Sequence, residues 1–241
     1  MSTPDTPKIG IILLCRYDST RLPGKILKMI QGKPILEYIY ERLNTAFARE
    51  DIIVATSQEE SDNPIVHYCQ EHNVCFFRGS KDNVAERFRD CAQQHNFDYA
   101  VRITGDSLFV DTRIICQMCQ MVPGHHYDFI TNIKNRTFPK GISVEIVKTK
   151  FYREAYQHFT KPEHFEHVTL YLYQNENAGH RFYFFNNIVP EIKKYNLAID
   201  TPADLQFAES IVSYMTKNHR EYFLKDIYQI IQRDQGLSHA A

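Results

Sequence analysis

The chain contains no tryptophan, and its nine glycines and ten prolines are spread thinly over 241 residues. That scarcity excludes a collagen-like or low-complexity chain, and no Gly-, Pro- or Ser-rich linker marks a domain boundary. Neither sign of charge dominates: 28 Lys and Arg stand against 29 Asp and Glu, a net charge of −1. Such a balance argues against a general nucleic-acid binder or membrane-surface protein. Apolar runs are short; none approaches the roughly 20 residues that cross a bilayer. Met1 to Lys8 is polar, and Ile9 to Leu14 is too short for the apolar core of a secretory leader, so a cytoplasmic location is expected. The six cysteines form no secreted disulfide framework and read as reduced thiols. No internal repeat is present.

What is there is a soluble globular composition, 43% hydrophobic and 24% charged, enough for a sizeable core. Apolar runs and helical stripes alternate along the first half. Ile9 to Cys15, Asp51 to Thr56, Val74 to Phe77 and Tyr99 to Thr104 read as strands. Helices are expected over Pro34 to Phe47, from an Asn63–Pro64 start to His72, around Val84, Phe88, Cys91 and Ala92, and from an Asp111 cap to Met121. This β-α-β-α order predicts a largely parallel sheet covered on both faces. In the second half Asp128 to Thr131, Ile142 to Val147, Arg181 to Phe185 and Asn196 to Ile199 read as strands. Thr149 is expected to cap a helix, a short helix to lie near Glu166 to Tyr173, another to follow Thr201–Pro202, and a last one to span His219 to Arg233. One α/β domain over residues 1–241 is expected, with an inserted or appended lobe around 132–190.

Charge is unevenly placed. Six Lys or Arg residues and a single acid, Asp18, fall between Lys8 and Lys33. A local basic cluster in a neutral chain suggests a small anionic ligand. Arg16, Arg21 and Lys25 lie in the segment that follows the first strand, with Ser19 and Thr20 as hydroxyl donors and Gly24 allowing close backbone approach. Ligands of an open parallel sheet bind at the carboxyl ends of strands, and a triphosphate needs several cations and donors there. The spacing of a Walker A loop is absent. Thr104-Gly105-Asp106-Ser107 also follows a strand, as does Asp200. Magnesium typically takes one or two protein carboxylates and fills its shell with phosphate and water, so Asp106 and Asp200 are the candidate ligands of a Mg²⁺ ion. For Asp200 the competing reading is a cap of the next helix, a role that Thr201 could also fill. Cys116-x-x-Cys119, with His125 and His126 behind it, has zinc-ligand types but lies on an expected helix, where two partly buried thiols are the simpler reading.

Arg16-Tyr17-x-Ser19-Thr20-Arg21-Leu22-Pro23-Gly24-Lys25 closely resembles the opening motif of the CMP-sugar synthetases, notably 3-deoxy-manno-octulosonate cytidylyltransferase. Arg78-Gly79-Ser80-x-x-Asn83-Val84-x-x-Arg87, Arg102 to Ser107, Phe138-Pro139-Lys140-Gly141-x-x-Val144-Glu145, Glu166-His167-Val168-Thr169 and Asp200-Thr201-Pro202-x-Asp204 resemble the spore-coat polysaccharide biosynthesis family of cytidylyltransferases more closely still. Two departures are visible: Cys15 stands where alanine is usual, and Leu108 where proline is common. The resemblance runs from about Ile9 to Ala208.

It implies a Rossmann-like nucleotide-diphospho-sugar transferase fold, a mostly parallel mixed sheet with helices on both faces and a small second lobe. It implies an enzyme that moves CMP from CTP to an ulosonic-acid-like sugar or a phosphorylated or phosphonate small molecule, releasing pyrophosphate. Arg16, Ser19, Arg21 and Lys25 would hold the CTP phosphates, with Arg16, Lys25 and Asp106 at the chemistry. Arg78, Ser80 and Asn83 would lie beside the base, Asp106 and Asp200 would carry Mg²⁺, and Lys140, Glu145 and His167 would face the acceptor. The related synthetases tend to be dimers, and the aromatic-rich second half (Tyr152, Tyr156, Phe159, Tyr171, Phe182 to Phe185) suits a homodimer contact. Two rival readings are a nucleotide-sugar-dependent glycosyltransferase, which usually carries an Asp-x-Asp motif that Gly105-Asp106-Ser107 lacks, and a degenerate nucleotide-binding protein.

Overall fold

The computed structural model describes residues 6–233. Strand β1 (Ile9–Leu14) opens the chain and leads into a loop that ends in a 3-10 turn, Lys25–Leu27. A small hairpin follows, β2 (Met29–Ile30) and β3 (Lys33–Pro34), and then helix α1 (Ile35–Leu43). The hairpin is not evident in the sequence, since each arm is two residues long. Its turn residues, Gln31 and Gly32, both have positive φ, the geometry that matches strand twist in two-residue hairpins.

Strand β4 (Ile52–Ser57), helix α2 (Asn63–Glu71), strand β5 (Phe76–Gly79), helix α3 (Val84–Gln94) and strand β6 (Tyr99–Thr104) then alternate. Helix α4 (Thr112–Cys119) starts at Asp111, whose carboxylate accepts from the Arg113 and Ile114 amides, as the expected cap should. Strands β7 (Phe129–Thr131) and β8 (Glu145–Lys148) precede helices α5 (Thr149–Tyr156), α6 (Pro162–Glu166) and α7 (Leu170–Gln174). Strand β9 (Arg181–Tyr183), helix α8 (Pro202–Ser213) and helix α9 (Leu224–Arg233) complete the order.

Seven strands form one sheet in the order β5-β4-β1-β6-β8-β7-β9. Strand β8 alone runs antiparallel to its two neighbours; the other pairings are parallel. The sheet is therefore mostly parallel and mixed, as expected. Alternation along the central strands splits the core into two layers. Ile11 and Leu13 of β1 pack with α1, α2, α4, α8 and α9, whereas Ile12 and Leu14 pack with α3, α5 and α7. Both faces are covered, which is why β1 and β4 read as continuous apolar runs. Truncating a fully buried anchor such as Phe88, 1% exposed, should cost about 3–5 kcal/mol. The segment 132–190 supplies β8, β9 and the α5–α7 layer of this same structure.

The structure corrects four local expectations. Asn196 to Ile199 is not a sheet strand; it is a buried extended segment that makes one isolated bridge, Lys140 to Asn196. The segment lies across Gly141, whose φ of 88° and lack of a side chain let the Leu197 and Ala198 backbone sit against it. Thr149 is the first residue of α5, and its hydroxyl is buried without a hydrogen bond instead of capping. Asn63 lies inside α2, whose preceding residue is Asp62. The single helix expected near Glu166 to Tyr173 breaks at His167 to Thr169 into α6 and α7.

Arg42, buried on α1, fastens the far end of the chain. Its Nε donates to the Val110 carbonyl at 2.7 Å, and its two terminal nitrogens donate to the His219 and Tyr222 carbonyls. Burial lowers its pKa to about 10, still charged at neutral pH. The second carboxylate oxygen of Asp111 accepts from the Leu224 amide at 2.8 Å, so one side chain caps α4 and anchors α9.

Candidate active site

The chain crosses from one side of β1 to the other between β5 and β6, which makes the β1/β6 gap the switch point of the sheet. A cavity of about 370 Å³ opens at the carboxyl ends of these two strands. Its lining includes Arg16, Ser19, Arg21 and Lys25, the carboxylates Asp106 and Asp200, and Glu166 and His167.

The basic loop is built by backbone closure. The Tyr17 carbonyl accepts from both the Ser19 and Gly24 amides, at 3.0 and 2.9 Å. Gly24 has φ of 66°, and its Cα packs on the Tyr17 ring, so the turn delivers Lys25 into the cavity. The loop is moored at its start by buried Asp62, which accepts from the Tyr17 amide at 2.7 Å and from Thr56 Oγ1 and the Ser57 amide at 2.8 Å each. Burial alone would raise the Asp62 pKa; these hydrogen bonds outweigh it and hold the carboxyl below its ordinary value.

Asp200 reaches the site without a strand. The Ile199 amide donates to the Asp106 carbonyl at 3.0 Å, which draws the segment alongside the β6 end. The cap of α8 is Thr201, in a reciprocal capping box with Asp204, so Asp200 is not the cap. Its carboxylate instead meets Lys25 Nζ at 3.0 Å and Arg21 at 3.1 Å. Lys25 is 15% exposed and Arg21 66%. Asp106 Oδ1 accepts from Thr104 Oγ1 and from Ser107 Oγ at 3.3 Å, while Oδ2 has no donor among the described residues. Two carboxylates at one cavity suit a divalent ion that completes its shell with phosphate and water. No cluster of three or more metal-ligating side chains occurs among the described residues. Cys116 and Cys119 are free thiols on α4, and burial pushes Cys119 up to about 12.

Other sequence candidates lie outside the cavity lining. Arg78 donates to the Ser57 and Glu59 carbonyls at 2.9 and 2.8 Å. Ser80 Oγ accepts from the Asn83 amide at 3.1 Å, and Asn83 caps α3 through the Glu86 amide while donating to Tyr156. These three side chains brace the wall that ends in Val84 and Arg87, both cavity residues. Lys140 is exposed and away from the cavity. Glu145 does not face an acceptor: it is 1% exposed and accepts from Arg102, Thr169 Oγ1 and Tyr173 OH. Its physical reason for being there is compensation, because it sits opposite Arg102 in the β6–β8 register.

Two cavity arginines were missed by the sequence reading. Arg87 on α3 is 2% exposed and donates to the Ser80 carbonyl at 3.0 Å; burial lowers its pKa. Arg102 on β6 pairs with Glu145. Burial opposes its charge, but the Glu145 carboxylate outweighs burial and leaves the guanidinium pKa above its ordinary value. A larger hollow, about 1200 Å³, opens beside Lys8, Asp98 and Lys148, and none of the sequence-derived site residues line it.

A mostly parallel sheet with a cationic, phosphate-sized cavity and paired carboxylates at its switch point belongs to the nucleotidyltransferase-like class of α/β folds. Comparison with known proteins narrows this. Residues 10–230 match the cytidylyltransferase family, and the chain belongs to that family. A solved cytidylyltransferase from Leptospira borgpetersenii superposes with a TM-score of 0.90 at 30% identity, covering 96% of each chain. The spore coat polysaccharide biosynthesis protein SpsF of Bacillus subtilis is 30% identical over 213 residues, 84% of this chain and 85% of that one. An uncharacterised protein of Methanocaldococcus jannaschii is 30% identical over 224 residues, 93% of this chain and 89% of that one. No helix among the described residues is long and apolar enough to cross a membrane.

Proposed function

We propose that this cytidylyltransferase transfers CMP from CTP to an acidic, ulosonic-acid-like sugar or a phosphorylated or phosphonate small molecule, in a cytoplasmic step of cell-surface polysaccharide biosynthesis. The observation that carries the reading is the gathering of Arg16, Ser19, Arg21 and Lys25 with Asp106 and Asp200 around one cavity. The SpsF relative, named for spore coat polysaccharide biosynthesis, supports the pathway class. The likeness of the opening loop to 3-deoxy-manno-octulosonate cytidylyltransferases supports an acidic sugar.

An acceptor oxygen attacks the α-phosphorus in line, the bond to the β-phosphate breaks, and pyrophosphate leaves with the electron pair. Arg16, Arg21 and Lys25 stabilise the charge on the phosphates, and the chain contributes mainly position and electrostatics. Asp106 and Asp200 fit a Mg²⁺ ion, whose chemistry when bound is neutralisation of phosphate charge. Arg78, Ser80 and Asn83 shape the wall beside the base. A carboxylate or phosphate acceptor needs no general base; for an alcohol, His167 in the cavity lining would take the proton. Lys140 would take part only through a movement toward the cavity.

The test begins with thermal shifts for CTP, UTP, GTP and ATP with Mg²⁺. A ligand of the native state raises apparent stability, so CTP should give the largest shift. Equal or greater stabilisation by another nucleotide overturns the choice of CTP. Pyrophosphate release over a panel of sugar acids, sugar phosphates and phosphonates then identifies the acceptor.

A further inference from the structure

We infer that Arg102 receives the oxyanion of the acceptor, a carboxylate or a phosphoryl group, and that Glu145 is the positioning residue that aims it; this rests on the transfer reaction proposed above. Arg102 lies in a strand otherwise devoted to the core, between Val101 and Ile103, both fully buried. A charge in such a strand needs compensation, and the antiparallel register supplies it in Glu145.

The pairing is incomplete in a way that points to a ligand. One oxygen of Glu145 is occupied by Thr169 Oγ1 and Tyr173 OH, at 2.7 Å each. Only the other oxygen meets Arg102, through Nη1. An arginine–carboxylate pair is frequently bidentate, with two nitrogens on the two oxygens. Here Nε is buried with no partner among the described residues, and the side chain keeps 21% of its surface exposed while lining the cavity. The fork thus keeps donors beyond the one bound to Glu145, a geometry suited to a carboxylate or phosphoryl oxygen pair.

The cations of the cavity also divide by element. Arg16, Arg21 and Lys25 belong to the loop after β1, and two of them already meet Asp200. Arg102 belongs instead to β6, two residues before the strand ends and Asp106 follows in the next turn. Thr169, bound to Glu145, is two residues beyond His167, which lines the cavity. One carboxylate therefore fixes both Arg102 and the segment that carries Glu166 and His167. Arg87, whose Nε is likewise buried without a partner among the described residues, is only 2% exposed and donates to the Ser80 carbonyl on the nucleotide wall.

The experiment is calorimetric titration of the wild type, Arg102→Gln and Arg102→Lys. Each is titrated with a CTP analogue carrying a methylene bridge between the α- and β-phosphorus. Each nucleotide-saturated protein is then titrated with 3-deoxy-manno-octulosonate and, separately, with glycerol 3-phosphate. The analogue should bind all three proteins within threefold, while whichever oxyanion binds the wild type binds both variants at least tenfold more weakly. The carboxylate and phosphate arms show which oxyanion is used. Arg102→Gln leaves Glu145 without its cation; if that variant does not fold, Arg102→Lys carries the test, because it retains the charge but not the fork. Oxyanion binding within threefold of wild type in a folded variant overturns the inference. So does equal weakening of the analogue, which would assign Arg102 to the triphosphate, or binding of neither oxyanion by the wild type. Failure of the wild type to bind the analogue is a separate signature: it removes the nucleotide reading, and this inference with it.

Discussion

Asp200→Asn separates two roles by the sign of its effect. The carboxylate meets Lys25 at 3.0 Å and Arg21 at 3.1 Å. If Asp200 only holds those cations in place, the amide releases them to the phosphates and CTP binds more tightly. If Asp200 is a ligand of Mg²⁺, a charged contact to the ion is lost. Such contacts are worth about 1.5–3 kcal/mol, a fall of roughly 10- to 150-fold in kcat/KM. Folding should change little. The Arg21 pair is exposed and worth at most a few tenths of a kcal/mol, and the Lys25 pair about 1 kcal/mol. Relief of repulsion with Asp106 offsets part of this. For a chain of this size 1 kcal/mol corresponds to about 2–4 °C in Tm. Helix capping does not confuse the result, because Thr201 caps α8. The assay is pyrophosphate release across a magnesium titration, with melting curves on the same samples. We expect the deficit to be greatest at low magnesium and partly restored at high magnesium. A folded Asp200→Asn with wild-type turnover at every magnesium concentration, or with tighter CTP binding and undiminished turnover, would refute the metal assignment.

Lys25→Ala should raise the KM for CTP roughly 10- to 100-fold through loss of a charge-assisted contact, and Arg21→Ala less, since Arg21 is 66% exposed; steady-state kinetics within twofold of wild type for both would reduce the loop to a basic surface. The protein should be a homodimer, with exposed Phe185 and Ile188 near edge strand β9 as apolar contact surface; a monomer by light scattering at micromolar concentration contradicts this. Burial pulls the His219 pKa below its ordinary 6.5 despite the hydrogen bond to Glu41. The unfolded chain therefore takes up a proton there first, so stability holds above pH 6.5 and falls on acidification below it. Melting from pH 7.5 to 5.5 should show this slope, with a smaller one in His219→Gln; the residue left over belongs to His95, lowered by burial and Lys8. Equal slopes in the two proteins would exclude His219 as the cause.

Most of the sheet is legible because strands buried on both faces must be apolar throughout, as Ile9 to Leu14 is. The same rule misleads at Asn196 to Ile199. Leu197 and Ile199 are buried, but the segment satisfies its backbone on Lys140 and Asp106 instead of a sheet neighbour. Asp200 therefore lines the cavity at the end of a non-sheet segment, not at the carboxyl end of a strand. The loop from Arg16 to Lys25 is visible because its three cations fall within one ten-residue segment. Arg87 and Arg102 are not: Arg87 sits among Glu86, Arg89 and Asp90 and looks like part of a solvated helix face, and Arg102 is a single charge in a strand. One signal was present: Arg102 and Glu145 each interrupt an apolar strand, and opposite charges in two such strands can compensate each other. Glu145 also shows the limit of residue type alone, since an acid in a functional motif can serve a cation behind the cavity wall.

Arg42 has a consequence for the timing of synthesis. It is made well before two of its three acceptors, the His219 and Tyr222 carbonyls, which lie 177 and 180 residues downstream. At about 5–20 residues per second, about 10–35 s of translation separate the donor from those acceptors. During that interval the inner face of α1 lacks the packing of α9, and the guanidinium that will be buried stays in water. The contacts that close this side of the core have very long sequence separation, so they form last. Closure of this side of the core is thereby deferred until residues 219 to 233 have been made, and a chain cut short before residue 219 leaves α1 with an unanchored cation and an uncovered apolar face.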